Sequence, residues 1–421
     1  MNYGLIGESL PHSFSPEIHR LLGNSDYVIK ELTREELPSF MEGKNFKGIN
    51  VTIPYKQDVI PYLDEIDAPS KSIGAVNTIL NKDGKLYGYN TDYYGFARLL
   101  SENGIFLQGK KVLILGTGGT SKTVRAVCKD SNAAVVVRAS RSGKPEGASE
   151  DEEDIISYNQ AYEEYSDAEI ILNTTPCGMF PKVETSPISL DVFTCLEAAA
   201  DVIYNPLTTQ FVMDVRSKGI SAVNGLPMLV YQAEKAEEIW GVDLTGGMKG
   251  EEVAAKLISD KRNIVLAGMP GSGKTTISKL LADSLGRELV DTDEYIIKME
   301  NRSIADIFAT DGELYFRDLE TKVCKELMTR TGLIISTGGG LILRPENVSA
   351  LKRNGLIVYL DRDITKIIAG NGRPLAKSPE DIKRLYDERH EFYEKAADIT
   401  VKVDGTPIDT AKETENAFFN Y

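Results

Sequence analysis

The sequence predicts an α/β chain of more than one domain, and three observations carry that expectation. Strand-like apolar runs alternate with helix-like amphipathic runs from end to end. Two glycine-rich loops of different type, "LILGTGGTSKT" at 113–123 and "LAGMPGSGKTT" at 266–276, each continue an apolar run and open a helical pattern. The chain has 421 residues, which at about 100–200 residues per domain allows two to four domains. No internal repeat of solenoid length is present.

Composition narrows the function classes. Apolar residues make up 42% of the chain, enough for real cores, and no stretch approaches the ~20 apolar residues of a membrane span. The start "MNYGLIGESLPHS" lacks the basic and apolar segments of a secretory signal, so a cytoplasmic location is expected. A net charge of −15 argues against nucleic-acid and membrane partners. Any phosphate must then be held by local loops and a few focused cations. Cys128, Cys177, Cys195 and Cys324 are scattered, which reads as reduced thiols. His12, His19 and His390 form no zinc motif. The acidic run "EGASEDEED" at 146–154 reads as a solvated loop and helix start.

The polar stretch "SDKRN" at 259–263 precedes a new strand and is taken as the main boundary, with no Gly/Ser or Pro-rich spacer. Upstream, "KKVLILGTGG" at 110–119 opens a separate strand–loop–helix unit. The expected organisation is one lobe from 1–100 plus 223–258, a second from 101–222, and a third domain at 262–421. A cleft between lobes is a favoured ligand site.

"GMPGSGKT", Gly268 to Thr275, fits GxxxxGK[ST], the P-loop pattern. The strand Ile264–Ala267 precedes it, and Ile277, Leu280, Leu281 and Leu285 share one face of the helix that follows. Gly268, Gly271 and Gly273 allow backbone N–H groups, with those of Ser272 and Thr276, to turn toward phosphates. The helix start adds partial positive charge. Lys274 suits the outer phosphates of ATP, and the Thr275 hydroxyl suits magnesium (Mg2+).

"GTGGTS" at 116–121 is a partial dinucleotide fingerprint after the strand Val112–Leu115, with Val124, Val127 and Cys128 at helical spacing. Where an NAD site would place an acid, "ASRSGK" offers Arg141 and Lys144, which suit the 2′-phosphate of NADP. On the loop alone, a chance glycine pattern stays equally open.

Further motifs give the two halves a family resemblance. The first resembles shikimate dehydrogenase through "SLPHSFSPEIH", "GINVTIPYKQ", "IGAVNTI", "GYNTDYYGF", "NTTPCGM", "DVIYNP" and "NGLPMLVYQA". The resemblance implies an α/β substrate lobe, a Rossmann-type NADP lobe and reduction of 3-dehydroshikimate to shikimate. It implies that Ser13 and Ser15 hold the substrate carboxylate, that Thr52, Asn77, Asp92 and Gln232 bind ring hydroxyls with Tyr204 nearby, and that Lys56 and Asp92 are the catalytic pair. Gly116, Gly118, Gly119, Ser140, Arg141, Ser142, Lys144 and Gly225 are the corresponding NADP positions. Carbonyl reduction supports the pair independently: a Lys at the developing alkoxide stabilises charge and donates a proton, and a neighbouring Asp orients it. The plainer reading makes Asp92 a helix N-cap.

The second half resembles shikimate kinase through the P-loop, "VDTDEYI", "YFRDLE", "STGGG", "GRPL" and "ERHEFYEKAAD". That implies a P-loop kinase domain with a parallel sheet and ATP-dependent phosphorylation of the shikimate 3-hydroxyl. Asp291 would help hold magnesium, and Asp293 would accept the proton of the reacting hydroxyl. Arg317, Gly338, Gly339 and Arg389 would hold shikimate, and Arg373 would reach the ATP phosphates from a lid. By spacing alone, Glu313 and Glu320 around Arg317 read as surface pairs. The lid sequence "AKSPED" and the "GTGGTSKT" loop depart from the usual family patterns. Quinate as substrate, or a ligand sensor with one inactive half, are the rival readings. Self-association through either half stays open.

Overall fold

The computed structural model describes residues 1–10, 13–145, 147, 149, 152–367 and 378–421. Arg373 therefore lies outside the described residues. The chain divides into two compact units, Met1–Asn205 with Thr209–Lys256, and Pro206–Thr208 with Leu257–Tyr421. The next strand starts at Asn263, and the helix Gly250–Lys261 runs through most of the polar stretch at 259–263. Its polarity reflects a helix end, with Lys261 in the last turn where the helix dipole favours a cation. Among the described residues, no helix is long and apolar enough to cross a membrane.

The first unit holds two sheets. One is mixed, in the spatial order Tyr27–Glu31, Tyr3–Gly7, Gly48–Val51, Thr78–Lys82, Lys85–Tyr89, Glu65–Ile66. Its first three strands are parallel, and Thr78–Lys82 pairs antiparallel to both neighbours. The other sheet is parallel throughout, in the order Ser221–Val223, Ala198–Asp201, Ile170–Asn173, Lys111–Leu115, Val135–Ser140, Ile155–Ser157. Chain order along it reads 6-5-4-1-2-3, the Rossmann arrangement, whose ligand crevice opens where the strand order reverses. That point lies between Leu115 and Asn173, just before the glycine loop.

Two helices join the sheets. Thr91–Glu102 and Leu226–Trp240 pack on each other, with Gly95 where they meet: a Cβ there would sit 2.6 Å from Gln232 Cγ and 2.7 Å from the Met228 carbonyl oxygen. Phe96, Leu99, Leu100 and Met228 share a core with Val112 and Ile114 of the parallel sheet. Ala236 and Trp240 pack with Leu5 and Tyr27 of the mixed sheet, and Trp240 Nε1 donates to Ile79 O. The segment expected to belong to the first lobe thus serves both.

The acidic run is not wholly solvated. Asp154 accepts from Arg138 Nη2 and Arg125 Nε, each at 2.7 Å, and the Arg138 side chain is only 2% exposed. A buried guanidinium requires such a partner.

The second unit is one parallel sheet in the order Leu289–Asp291, Ile334–Ser336, Asn263–Ala267, Gly355–Asp361, Ile399–Lys402. Its order reverses between the P-loop strand and Ile334–Ser336, so the P-loop and the "TGGG" turn share one crevice. Phe316, Leu319, Val323 and Leu327 form the buried stripe of the helix Gly312–Leu327.

Candidate active sites

In the first unit, Lys56 lies in the turn after the strand Gly48–Val51, and Asp92 lies in the first turn of the helix Thr91–Glu102. Lys56 Nζ donates to Asp92 Oδ2 at 2.5 Å, with the side chains 28% and 11% exposed. The capping reading of Asp92 is corrected: Asn90 is the N-cap, and its Oδ1 accepts from Tyr93 N. The Asp92 carboxylate is therefore left to Lys56. Asn77 fixes the same helix start, its Oδ1 accepting from Thr91 N at 2.6 Å. Gln232 lies against Gly95, three residues on from Asp92 and on the same helix face.

Ser13 and Ser15 form a second group. Ser13 Oγ donates to Ser15 Oγ at 3.1 Å, and Phe14 packs against the Tyr204 ring at 5.5 Å. Burial raises the Tyr204 phenol above its usual range, so it stays a neutral donor. Tyr27 extends the hydrogen-bond network: its hydroxyl donates to Asn50 Oδ1 at 2.8 Å; Asn50 Nδ2 then reaches Thr78 Oγ1, which bonds Asn77 and Thr91. Thr52 is set by its own backbone N–H, which donates to Ile6 O, while its methyl packs on Gly7. Tyr27 and Asn50 were missed in sequence because their partners lie on separate strands.

The glycine loop fits an anion. Gly116 has φ +105°, closed to most side chains, and its N–H donates to Ala139 O. Gly118 caps the helix Gly119–Asp130, and a Cβ on Gly118 or Gly119 would meet nothing within 4 Å. That open cradle at the N-terminus of a helix is suited to a pyrophosphate. Gly225 is required by packing, since a Cβ would run into the Val202 carbonyl. Ser140 ends the second strand and bonds Gly143 O, with Arg141, Ser142 and Lys144 exposed after it. A missed neighbour is Thr174, whose hydroxyl would lie 2.9 Å from a Gly116 Cβ.

In the second unit, a cleft of about 990 Å3 is lined by the P-loop, Asp291, Asp293, Arg317, Glu320, the "TGGG" turn and Arg389. Gly268, Gly271 and Gly273 have φ of +152°, +88° and +104°, which explains all three glycines. Lys274 Nζ donates to Gly268 O and Met269 O, holding its charge across the loop, while Thr275 and Thr276 are exposed at the cleft and Ser272 is buried. Asp291 caps the helix Thr292–Glu300 through Oδ1, and its Oδ2 accepts from Ser336 Oγ. Among the described residues there is no group of three or more His, Cys, Asp or Glu that could cage a metal. Thr275 and Asp291 supply a hydroxyl and a carboxylate, a sparse oxygen set that suits magnesium shared with substrate phosphates and water.

Arg317 is buried, not on the surface as spacing alone would read it. Its Nη1 meets Glu320 Oε2 at 2.8 Å and its Nη2 meets Glu313 Oε1 at 2.7 Å, with the Glu320 side chain 1% exposed. The "TGGG" turn covers them. A Cβ on Gly338 would sit 2.6 Å from Asp293 Oδ1 and 3.0 Å from Glu320 Oε1, and one on Gly340 would sit 2.5 Å from Arg317 Cζ. Gly340 and Glu320 were missed as site residues because only this crossing of separate segments reveals them. Gly339 O accepts from Tyr393 OH. Asp293 Oδ1, Glu320 Oε1 and Arg389 Nε are buried without a partner, an arrangement suited to a small polar ligand. Burial, reinforced by Asp291 and opposed by Lys274 and Arg317, pushes the Asp293 carboxyl up to about 6. Burial likewise pushes Glu320 up to about 7 against the pull of Arg317.

Comparison with known proteins follows the two units. Residues 5–79 match the family model described as shikimate dehydrogenase substrate binding domain, and residues 270–417 match that of shikimate kinase. The shikimate dehydrogenase (NADP(+)) of Clostridium beijerinckii is 44% identical over 248 residues, covering 56% of this chain and 91% of that protein. A counterpart from Methanococcus maripaludis is 38% identical, covering 61% and 96%. Among solved structures, a chorismate mutase/shikimate 5-dehydrogenase fusion protein from Clostridium acetobutylicum has 36% identity and a TM-score of 0.56, over 61% of this chain and 96% of that one. The Thermus thermophilus shikimate 5-dehydrogenase in complex with NADP(H) and shikimate has 30% identity and a TM-score of 0.53, over 61% and 99%. The chain belongs to the shikimate dehydrogenase family and carries a shikimate kinase domain in the same polypeptide, which makes it a bifunctional enzyme of the shikimate pathway.

Proposed function

We propose that the first unit reduces 3-dehydroshikimate to shikimate with NADPH and that the second phosphorylates the shikimate 3-hydroxyl with ATP and magnesium. Residues 1–100 and 223–258 bind the first substrate, 101–222 the dinucleotide, and 262–421 carry the kinase. The observation that carries the reductive half is the 2.5 Å contact of Lys56 with Asp92. NADPH, when bound, supplies the hydride. Lys56 then faces the ketone oxygen, stabilises the alkoxide and gives up a proton, while Asp92 keeps the ammonium aimed and accepts from a ring hydroxyl. Ser13 and Ser15 take the carboxylate; Asn77 Nδ2, Thr52, Gln232 and Tyr204 take the remaining ring oxygens. Gly116, Gly118, Gly119 and Gly225 admit the dinucleotide backbone, and Ser140, Arg141, Ser142 and Lys144 suit a 2′-phosphate.

The phosphorylating half rests on Arg317, Asp293 and Arg389 sharing a cleft with the P-loop. ATP with magnesium supplies the phosphoryl group. Arg317 and Arg389 hold the shikimate carboxylate, and Gly338 and Gly339 let the backbone approach the ring. Asp293, with a carboxyl near 6, is ionised at neutral pH yet basic enough to accept the hydroxyl proton. The sensor reading is disfavoured because Lys56, Asp92, Lys274, Thr275, Asp293 and Arg317 are all present. The test is one incubation with 3-dehydroshikimate, NADPH, ATP and magnesium. Shikimate 3-phosphate is the expected product; its absence defeats the proposal. Rates with quinate and with NAD decide the remaining specificity.

A further inference from the structure

Arg362 follows the strand Gly355–Asp361, which pairs directly with the P-loop strand. It lines the P-loop cleft, and its Nη1 lies 4.0 Å from the point a Cβ on Gly273 would occupy. Gly273 immediately precedes the helix Lys274–Leu285, so a guanidinium stands at the positive end of that helix. Two like-signed features held together are unfavourable unless an anion joins them.

The described residues around it provide none. Among the described residues Arg362 makes no hydrogen bond or ion pair, and its Nε is buried without a partner. The adjacent acids point their bonds elsewhere. Asp361 Oδ1 accepts from Tyr359 OH, and Asp363 Oδ1 accepts from Thr365 N and Oγ1. The chain has 63 acidic residues against 48 Lys and Arg, so an arginine facing the cleft without a carboxylate is not explained by a shortage of acids. By contrast, Arg317 in the same cleft engages two.

We propose that Arg362 contacts the phosphate chain of the bound nucleotide, adding a second fixed cation to Lys274. This rests on reading the cleft as an ATP site, but the residue lies outside the P-loop signature, whose parts are backbone amides, one Lys and one hydroxyl. A planar guanidinium suits paired phosphate oxygens and, carried at the end of a sheet strand, needs little ordering when the ligand arrives.

The experiment is calorimetry of MgADP and of magnesium tripolyphosphate with the full chain, comparing wild type, R362Q and R362K. Adenosine competition against MgADP is measured alongside, and dehydrogenase turnover together with the unfolding transition reports folding. Loss of a charged hydrogen bond predicts that R362Q weakens both phosphate ligands roughly 10–100-fold, flattens their salt dependence and leaves the adenosine constant unchanged. R362K keeps the charge and the stem and falls between the two, which maintains the test if R362Q folds poorly. Wild-type binding with R362Q within twofold of it overturns the proposal alone, as does equal weakening of adenosine, which would place the guanidinium on the base. Failure of the wild type to bind either phosphate ligand overturns the nucleotide reading together with it.

Discussion

Gly340→Ala should damage recognition of shikimate while sparing ATP. The new Cβ would lie 2.5 Å from Arg317 Cζ, whereas ordinary contact begins at 3.4 Å, so the guanidinium must retreat by about 1 Å. Gly340 itself has φ −108°, so the backbone accepts alanine without strain. Retreat is resisted by Glu313 and Glu320, which grip both ends of the fork. A carboxylate contact misplaced by that distance loses most of a charged hydrogen bond, about 1.5–3 kcal/mol, or a 10–100-fold rise in the KM for shikimate. The assay is steady-state phosphorylation with shikimate varied at saturating ATP, then the reverse, with dehydrogenase turnover of the same sample as an internal standard. An unchanged KM for shikimate, or a rise confined to ATP, would refute the placement of Arg317 beneath this turn.

Lys56→Ala should cut reduction by at least about 100-fold and leave phosphorylation of supplied shikimate intact; Lys274→Ala should do the opposite, and loss of both activities from either change would contradict independent chemistry. As the proposed proton acceptor Asp293 would have to be ionised, and its carboxyl sits near 6, so kinase kcat/KM should fall as pH drops below about 6, tenfold per unit; a flat profile down to pH 5 would exclude it as acceptor. Asp201 is pushed up to about 6 by burial. Its folded value exceeds its unfolded one, so its contribution to stability is full below about pH 4 and is lost as pH rises through 6, by about 3 kcal/mol. Asp201→Asn keeps the contacts to Asn173, Ile203 and Thr209 once the Thr209 hydroxyl turns. Urea midpoints from pH 5 to 7 should then decline less steeply than in the wild type. Asn90→Ala should cost about 1 kcal/mol through the lost helix cap and lower reductase kcat, since Asp92 lies in that turn; an unaltered urea midpoint would show that Asn90 is not the cap.

What was readable in sequence was what depends on neighbours along the chain. The P-loop glycines, the strand before them and the stripe Phe316, Leu319, Val323, Leu327 follow from local periodicity and backbone geometry, and all stand in the structure. Charges were harder. Asp154 lies within an acidic run, yet is held by Arg138 and Arg125 from a strand and a helix well before it. Glu320 has helical spacing to Arg317, which is legible, but its burial arises from the turn at 338–340, which spacing cannot show. Asn90 and Asp92 can each cap a helix; the choice falls to Asn90 because the strand Lys85–Tyr89 ends just before it. Arg362 carries no motif at all, and only the pairing of its strand with the P-loop strand gives it a place.

The helix Leu226–Trp240 is anchored at one end in the mixed sheet and at the other in the parallel sheet, pressed against Thr91–Glu102 at Gly95. Asp92 and Gln232 ride on this clamped pair. With Asp92 and Gln232 in the proposed substrate site, a tilt of the pair would alter the reach between ketone carbon and incoming hydride, so turnover in the reductase would depend partly on residues that never meet either reactant. Thickening the clamp by one methyl at Gly95 would pry its jaws apart and slow the chemistry while every polar group stays in the chain.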